Sequence, residues 1–372
     1  MNFIDLAAQQ DRLRPAIQAG IDAVLAHGQY VMGPQVREFE DKLAAFGQAQ
    51  HAIGCANGTD ALILPLMVWG IGPGDAVFCP SFTYCATAEA VALQGATPLF
   101  VDIERDTYNM SASSLRTAIE GVIAEGTLTP RAIISVDLFG QSADYPTIAA
   151  IAQEFGLKLV ADSAQGFGTT LDGHHPVHWA DIATTSFFPA KPLGCYGDGG
   201  AMLTNDSELA DALDSARIHG KGSDKYDNVR IGLNSRLDTL QAAILLPKLA
   251  VFEEEIIARN RNADRYAERL AQTPIRRLPY VKDGIVSTWA QYTIEVDDPI
   301  ALGAALKEDG IPTARYYPRP IHQQTAYEHY PSGAGGMAAT EDCTAHIISL
   351  PMHPYLSEED QDRIVDAVAR HT

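Results

Sequence analysis

The chain has 372 residues, 46% of them hydrophobic, enough for one large domain and a smaller one with a core of its own. Its 47 acidic against 27 basic side chains give a formal net charge of -20, which argues against nucleic acid or anionic lipid as a partner and leaves a small molecule. Five cysteines without a C-x-x-C pair argue against a disulfide framework, and no uninterrupted apolar run is long enough to span a bilayer.

The start, Met1-Asn2-Phe3-Ile4-Asp5-Leu6, lacks the basic and apolar regions of a secretion signal, so the expected location is the cytoplasm. From about residue 50 to 205, short apolar runs alternate with helix-like segments, the pattern of an α/β domain with a largely parallel sheet. Strands are expected at 76–80, 97–103, 132–138, 157–161, 182–188 and 201–204, and helices at 61–69, 86–93 and 147–155. Turn punctuation such as Gly72-Pro73-Gly74-Asp75 separates them. A helical pattern then runs over 237–270, with a bend expected at Pro247. Residues from about 272 onward read as a smaller α+β unit, closed by a helix that Ser357-Glu358-Glu359-Asp360 opens like a capping box. The expected division is a large α/β domain over 1–245 and a small α+β domain over 246–372. No G-x-G-x-x-G follows the first strand and no G-x-x-x-x-G-K-[ST] loop occurs, which weakens a nicotinamide or an NTPase reading.

Along the same path lie the side chains able to carry chemistry. Asn57-Gly58-Thr59-Asp60 follows a short apolar strand and opens an apolar helix, which suits either a phosphate cradle or an ordinary N-cap. Tyr84 stands between a strand and a helix, placed either to stack on a flat heteroaromatic ring or to fill the core. Asp162 ends an otherwise apolar strand, where a carboxylate must be neutral or paired, and a pyridinium nitrogen is a fitting partner. Gln165 is placed to meet a phenolic oxygen, and Ser186 to meet a phosphate. His174, His175 and His178 form an H-H-x-x-H cluster in a turn-like segment, a poor platform for zinc, and no metal site is expected. Lys191, in Phe187-Phe188-Pro189-Ala190-Lys191-Pro192-Leu193-Gly194, is the candidate amine for a Schiff base, and Cys195 beside it reads as a packing residue. An acid leaving a buried strand, then a lysine in a glycine-rich loop, is the pair that pyridoxal phosphate requires. Positive charge concentrates in 217–236, with Arg217, Lys221, Lys225, Arg230 and Arg236, which is either an anion site or a solvated loop.

The runs N-G-T-D-A-L, P-S-F-T-Y-x-A-T-A, A-D-S-A-Q-G-F-G, S-F-F-P-A-K-P-L-G-x-x-G-D-G-G and N-S-R-L-D-x-L-Q-A-A occur in this order, and the likeness extends over nearly the whole chain. Together they resemble the DegT/DnrJ/EryC1/StrS sugar aminotransferases, which are fold type I enzymes using pyridoxal 5'-phosphate. The resemblance implies that Lys191 carries the cofactor aldehyde, Asp162 pairs with the pyridine nitrogen and Gln165 contacts the phenolic oxygen. It further implies that Gly58, Thr59 and Ser186 hold the phosphate, that Tyr84 stacks on the ring, and that Asn234 of the partner subunit completes a site shared across a homodimer. Family dehydratases have histidine in place of Lys191, so lysine implies amino transfer, with L-glutamate as the expected donor.

Within the family, the runs around 185–200 and 234–249 resemble the UDP-2-acetamido-2-deoxy-3-oxo-glucuronate aminotransferases of O-antigen synthesis. Arg230 is then the candidate for the sugar carboxylate, and Tyr316, Tyr317 and His322 for the sugar pocket. Where those relatives often read His-Tyr-Pro, this chain has Tyr316-Tyr317-Pro318. The rival acceptors are a dTDP-3-oxo-6-deoxyhexose and a 4-oxo nucleotide sugar. A non-catalytic cofactor-binding regulator would call for a DNA-binding segment that the sequence does not display.

Overall fold

A computed structural model describes residues 1–224 and 226–372. Its strands are β1 His51–Cys55, β2 Asp75–Pro80, β3 Thr97–Val101, β4 Thr129–Val136, β5 Lys158–Asp162, β6 Thr170–Leu171, β7 Ile182–Ser186, β8 Gly200–Thr204, β9 Ile285–Val286, β10 Tyr292–Glu295 and β11 Ile347–Leu350. The helices are α1 Leu6–His27, α2 Pro34–Phe46, α3 Gly58–Val68, α4 Ala86–Leu93, α5 Ala112–Glu125, α6 Tyr145–Phe155, α7 Ser207–Ala216, α8 Thr239–Ala250, α9 Phe252–Leu270, α10 Pro299–Glu308, α11 Ala338–His346 and α12 Glu358–His371.

Seven strands form the central sheet in the order β1-β8-β7-β5-β4-β2-β3, parallel except for β8, which runs against both its neighbours. Strand residues alternate between two apolar faces, as the period of two requires. Ala76, Phe78, Ile133, Leu159 and Ala161 join the core beneath α2, α5, α6 and α8, while Val77, Cys79, Ile134 and Val160 join the one beneath α3, α4 and α7. A sheet covered on both sides binds ligands where its parallel strands end, and every candidate cofactor residue except Asn234 lies near those ends.

Several boundaries differ from the sequence expectation, among them β7, which ends at Ser186 and not 188, and three of the differences have visible reasons. β4 begins at Thr129, not 132, because Arg131 is the extra residue of a β-bulge that lets Pro130 sit in a paired strand. β3 stops at Val101 because Asp102 turns away to accept from Ala339 N, Thr340 N and Thr340 Oγ1 at the start of α11. The 237–270 pattern is two helices parted at Val251 and not one bent at Pro247. Lys248 in the last turn of α8 and Glu253, Glu254 and Glu255 in the first turn of α9 each suit a helix end there. A separate core gathers Ala263, Tyr266 and Leu270 of α9 with Tyr292, Ile294, Leu302, Ile348, Ile364 and Val368 around the antiparallel β10–β11 pair. Ser357 caps α12 by accepting from Asp360 N at 3.1 Å, as its sequence suggests. Among the described residues, no helix is long and apolar enough to cross a membrane.

Candidate functional site

Four strand ends converge. After β1, the Asn57 side chain caps α3 by accepting from Asp60 N at 2.8 Å, which leaves the Gly58 and Thr59 amides at the helix start for an anion. Gly58 faces the end of β7 so closely that a Cβ on it would lie 2.6 Å from Ser186 Cβ. Gly200 is pressed against the same turn, where a Cβ would lie 2.4 Å from the Asn57 carbonyl oxygen. Both glycines are therefore required by close approach and not by backbone angle. Thr59 follows in the same turn, and Ser186 pairs with Gly200 across the β7–β8 ladder.

Asp162 ends β5 and is 5% exposed. Burial raises its pKa, while hydrogen bonds from Ala164 N and Thr87 Oγ1 and the charge of Lys191 act the other way. Lys191 answers in kind: burial lowers its pKa and Asp162 partly restores it. Each charge thus acts on the other, and the amine is held nearer neutrality than a surface lysine. Its loop is firmly seated. Lys191 N donates to Phe188 O at 2.9 Å, Cys195 N to Phe187 O at 2.8 Å, and the buried Lys248 of α8 donates to Gly194 O at 2.6 Å. Cys195 is buried, its Sγ hydrogen-bonded to Phe187 O, and burial pushes its thiol up to about 11, which fits a packing role.

Gln165 is buried with both ends engaged: Oε1 accepts from Phe139 N at 2.8 Å and Nε2 donates to Tyr317 Oη at 2.8 Å. Burial raises the Tyr317 pKa, so its hydroxyl stays protonated. The Tyr317 ring lies 6.3 Å from that of Tyr84, which is 55% exposed, and 5.8 Å from that of Tyr316, whose own ring approaches Phe3. His322 is turned to other work: Nδ1 bonds Ser81 Oγ at 2.7 Å and Nε2 faces Glu341 at 3.3 Å, which ties this segment to the end of β2.

The remaining candidates stand apart in this chain. Asn234 is exposed, in an isolated bridge with Ile218. Arg230 is exposed and donates to Ala212 O of α7 at 3.2 Å. The basic stretch is also weaker than its sequence suggests, because Arg217 is buried between Glu40 and Asp214. Lys225 lies outside the described residues. In the histidine cluster, the rings of His174 and His178 stack 4.2 Å apart, and burial lowers His175 to about 4.

Three functional neighbours escaped the sequence reading: Thr87, Lys248 and Asp137. Each is a polar residue set in an apolar run, as in Ala86-Thr87-Ala88 or Leu245-Leu246-Pro247-Lys248-Leu249, and that signal was available. Asp137 follows β4 as Asp162 ends β5, is fully buried, and accepts from Ser163 Oγ and Ala143 N.

The donor set suits pyridoxal phosphate on the structure alone. It offers a helix start walled by glycines for a phosphate, a buried carboxylate for a ring nitrogen, an amine whose pKa burial lowers and an open aromatic face. Residues 11–369 match the profile of the DegT/DnrJ/EryC1/StrS aminotransferase family. The chain is 49% identical over 360 residues to the UDP-2-acetamido-2-deoxy-3-oxo-D-glucuronate aminotransferase of Pseudomonas aeruginosa, covering 96% of each. It is 53% identical to a DegT DnrJ EryC1 StrS aminotransferase from Brucella abortus of known crystal structure, with a TM-score of 0.98 over 100% of this chain and 99% of that one. NtdA from Bacillus subtilis, solved with bound cofactor PMP, is 30% identical with a TM-score of 0.87, covering 99% and 84%.

Proposed function

The chain belongs to the DegT/DnrJ/EryC1/StrS aminotransferase family, and from that premise we propose that it is a pyridoxal phosphate-dependent transaminase moving an amino group from L-glutamate to a nucleotide-linked oxo-sugar. The acceptor we infer is UDP-2-acetamido-2-deoxy-3-oxo-D-glucuronate, on the strength of the 49% identity to the Pseudomonas aeruginosa enzyme, in assembly of a bacterial surface polysaccharide such as O-antigen. The observation that carries the reading is the buried Asp162 at the end of β5 together with Lys191, each displaced toward its neutral form by burial and each acting on the other through its charge.

When bound, the cofactor supplies an aldehyde that accepts an amino group and a pyridinium ring that takes up an electron pair. Lys191 Nζ would hold that aldehyde and, once freed by the incoming amine, would take the proton from the donor's Cα; in the second half of the exchange it would deliver a proton to the sugar carbon that gains the amino group. Asp162 keeps a proton on the ring nitrogen. Gln165 donates toward the phenolic oxygen, Tyr84 covers the ring, and Ser186, Thr59 and the amide of Gly58 bind the phosphate. Arg230, exposed and apart from the Asp162–Lys191 pocket within one chain, is proposed for the sugar carboxylate in the assembled dimer, and Tyr316 and Tyr317 line the sugar pocket. We assign His322 the lesser part of fixing that wall through Ser81.

We infer a homodimer in which Asn234 of the partner subunit reaches the phosphate. The exposed Val229 and Ile231 beside the exposed Asn234, with Tyr30 and Val31 held against Thr239 and Asp238, support an apolar surface suited to a second copy. The separate core around β10–β11, which α9 joins from Ala263 onward, supports a small C-terminal domain, proposed over 246–372 with a large one over 1–245. Free cysteines support a cytoplasmic location.

The test is incubation of the purified chain with L-glutamate and, in turn, the UDP-linked 3-oxo-uronate, a dTDP-3-oxo-6-deoxyhexose and a 4-oxo nucleotide sugar. An amino sugar formed from the uronate with 2-oxoglutarate released from L-glutamate, both lost in Arg230→Ala, supports the assignment. Equal use of the deoxyhexose removes the carboxylate role.

A further inference from the structure

The Asp162 carboxylate receives one hydrogen bond at each oxygen within the chain: Ala164 N at Oδ1, 3.2 Å, and Thr87 Oγ1 at Oδ2, 3.0 Å. Thr87 stands in the first turn of α4 and is 1% exposed. A threonine in a helix commonly turns its hydroxyl back onto a nearby backbone carbonyl, but this one reaches across to the end of β5. Behind it, Thr83 Oγ1 lies 3.3 Å from Thr87 Oγ1, also buried. An ionised carboxylate only accepts, so the single proton of Thr87 goes to Asp162 and Thr83 donates in turn to Thr87. The relay has one direction, Thr83 to Thr87 to Asp162.

We propose that Thr87, backed by Thr83, is a positioning residue that keeps Asp162 ionised and fixes the orientation of its carboxylate toward the cofactor's ring nitrogen. The inference rests on the pyridoxal phosphate reading above. Burial drives Asp162 toward the neutral acid, and three groups oppose it: the Ala164 amide first, then the Thr87 hydroxyl, the one side-chain donor among them, and the charge of Lys191. The other ionisable groups that face it are Asp137, Tyr145 and Tyr317, none of which offers positive charge. Lys191 does offer it, but its proton moves in the proposed reaction, so its help to Asp162 is intermittent. The Thr87 hydroxyl donates throughout. A donor aimed at the charged form is what a buried carboxylate needs to remain one.

The experiment titrates apoprotein with pyridoxal phosphate across a range of pH for wild type, Thr87→Val, Thr87→Ser and Thr83→Val, with thermal melts confirming folding. Thr87→Val keeps the side-chain shape and loses the donor, so Asp162 protonates at higher pH. Its acid limb of cofactor binding should rise by about one pH unit, so that affinity at a pH on that limb falls about tenfold. Thr87→Ser restores both, and Thr83→Val moves the limb the same way by less. Wild-type affinity and limb in a folded Thr87→Val overturn the proposal, as does a Thr87→Ser that behaves like Thr87→Val, since packing would then be the cause. If Thr87→Val does not fold, Thr87→Ser with Thr83→Val decides: a wild-type limb in Thr83→Val overturns the relay. Should wild type itself fail to bind pyridoxal phosphate, the functional reading falls first and this inference with it.

Discussion

Asp137→Asn is expected to stabilise the protein, and only above a certain pH. Asp137 is fully buried at the end of β4, where burial raises its carboxyl from 3.8 to about 7 despite hydrogen bonds from Ser163 Oγ and Ala143 N. An acid whose folded value lies above its unfolded one takes up a proton on folding, so stability falls as pH rises from about 4 to about 7. At about 1.4 kcal/mol per pH unit, the burden is about 4 kcal/mol once pH exceeds the folded value. Asparagine carries none of it: its carbonyl can accept from Ala143 N while its amide donates to Ser163 Oγ. Between about pH 5 and about pH 8 the advantage of the variant should grow by about 3 kcal/mol. For a chain of this length that is about 4 °C in melting temperature. Melts of apoprotein at both pH values measure it. An equal difference between variant and wild type at the two pH values would refute the reasoning, because the acid would then be ionised in both.

Other substitutions probe the same frame. Gly58→Ala places a methyl 2.6 Å from Ser186 Cβ and should weaken pyridoxal phosphate binding about tenfold or more, read by titration of apoprotein. Arg217→Met leaves Glu40 without its buried partner and the Gly54 carbonyl without its donor, a loss of about 3 kcal/mol by urea denaturation. Tyr317→Phe removes the acceptor of Gln165 Nε2, so cofactor-bound turnover should drop by about tenfold with thermal stability changed by about 1 kcal/mol.

Much of this architecture is legible in the residues because the sheet is buried on both faces. Runs such as Ile133-Ile134 and Leu159-Val160 have no other place to go, and strand existence follows from composition. Edges were harder, since they are set by long-range contacts. Nothing local in Asp102 announces that it will cap a helix that starts more than 230 residues later, and Pro130 and Arg131 look like a turn until the bulge explains them. The site divides in the same way. Asp162 and Lys191 carry a signal of their own, because an acid at the end of an apolar strand and a lysine among glycines both need a partner. Thr87 and the Gln165–Tyr317 pair do not, because their meaning lies in hydrogen bonds across 75 and 152 residues. His322 shows the converse: its sequence context suits a pocket, while its two nitrogens are occupied by Ser81 and Glu341.

Reduction of the cofactor-loaded protein with borohydride, followed by peptide mapping, reaches the central claim most directly. A stable pyridoxyl label on the Lys191 nitrogen, absent from Lys191→Ala, is the predicted result. A label on the buried Lys248 instead, or no label on a protein that still transfers amino groups, would contradict it.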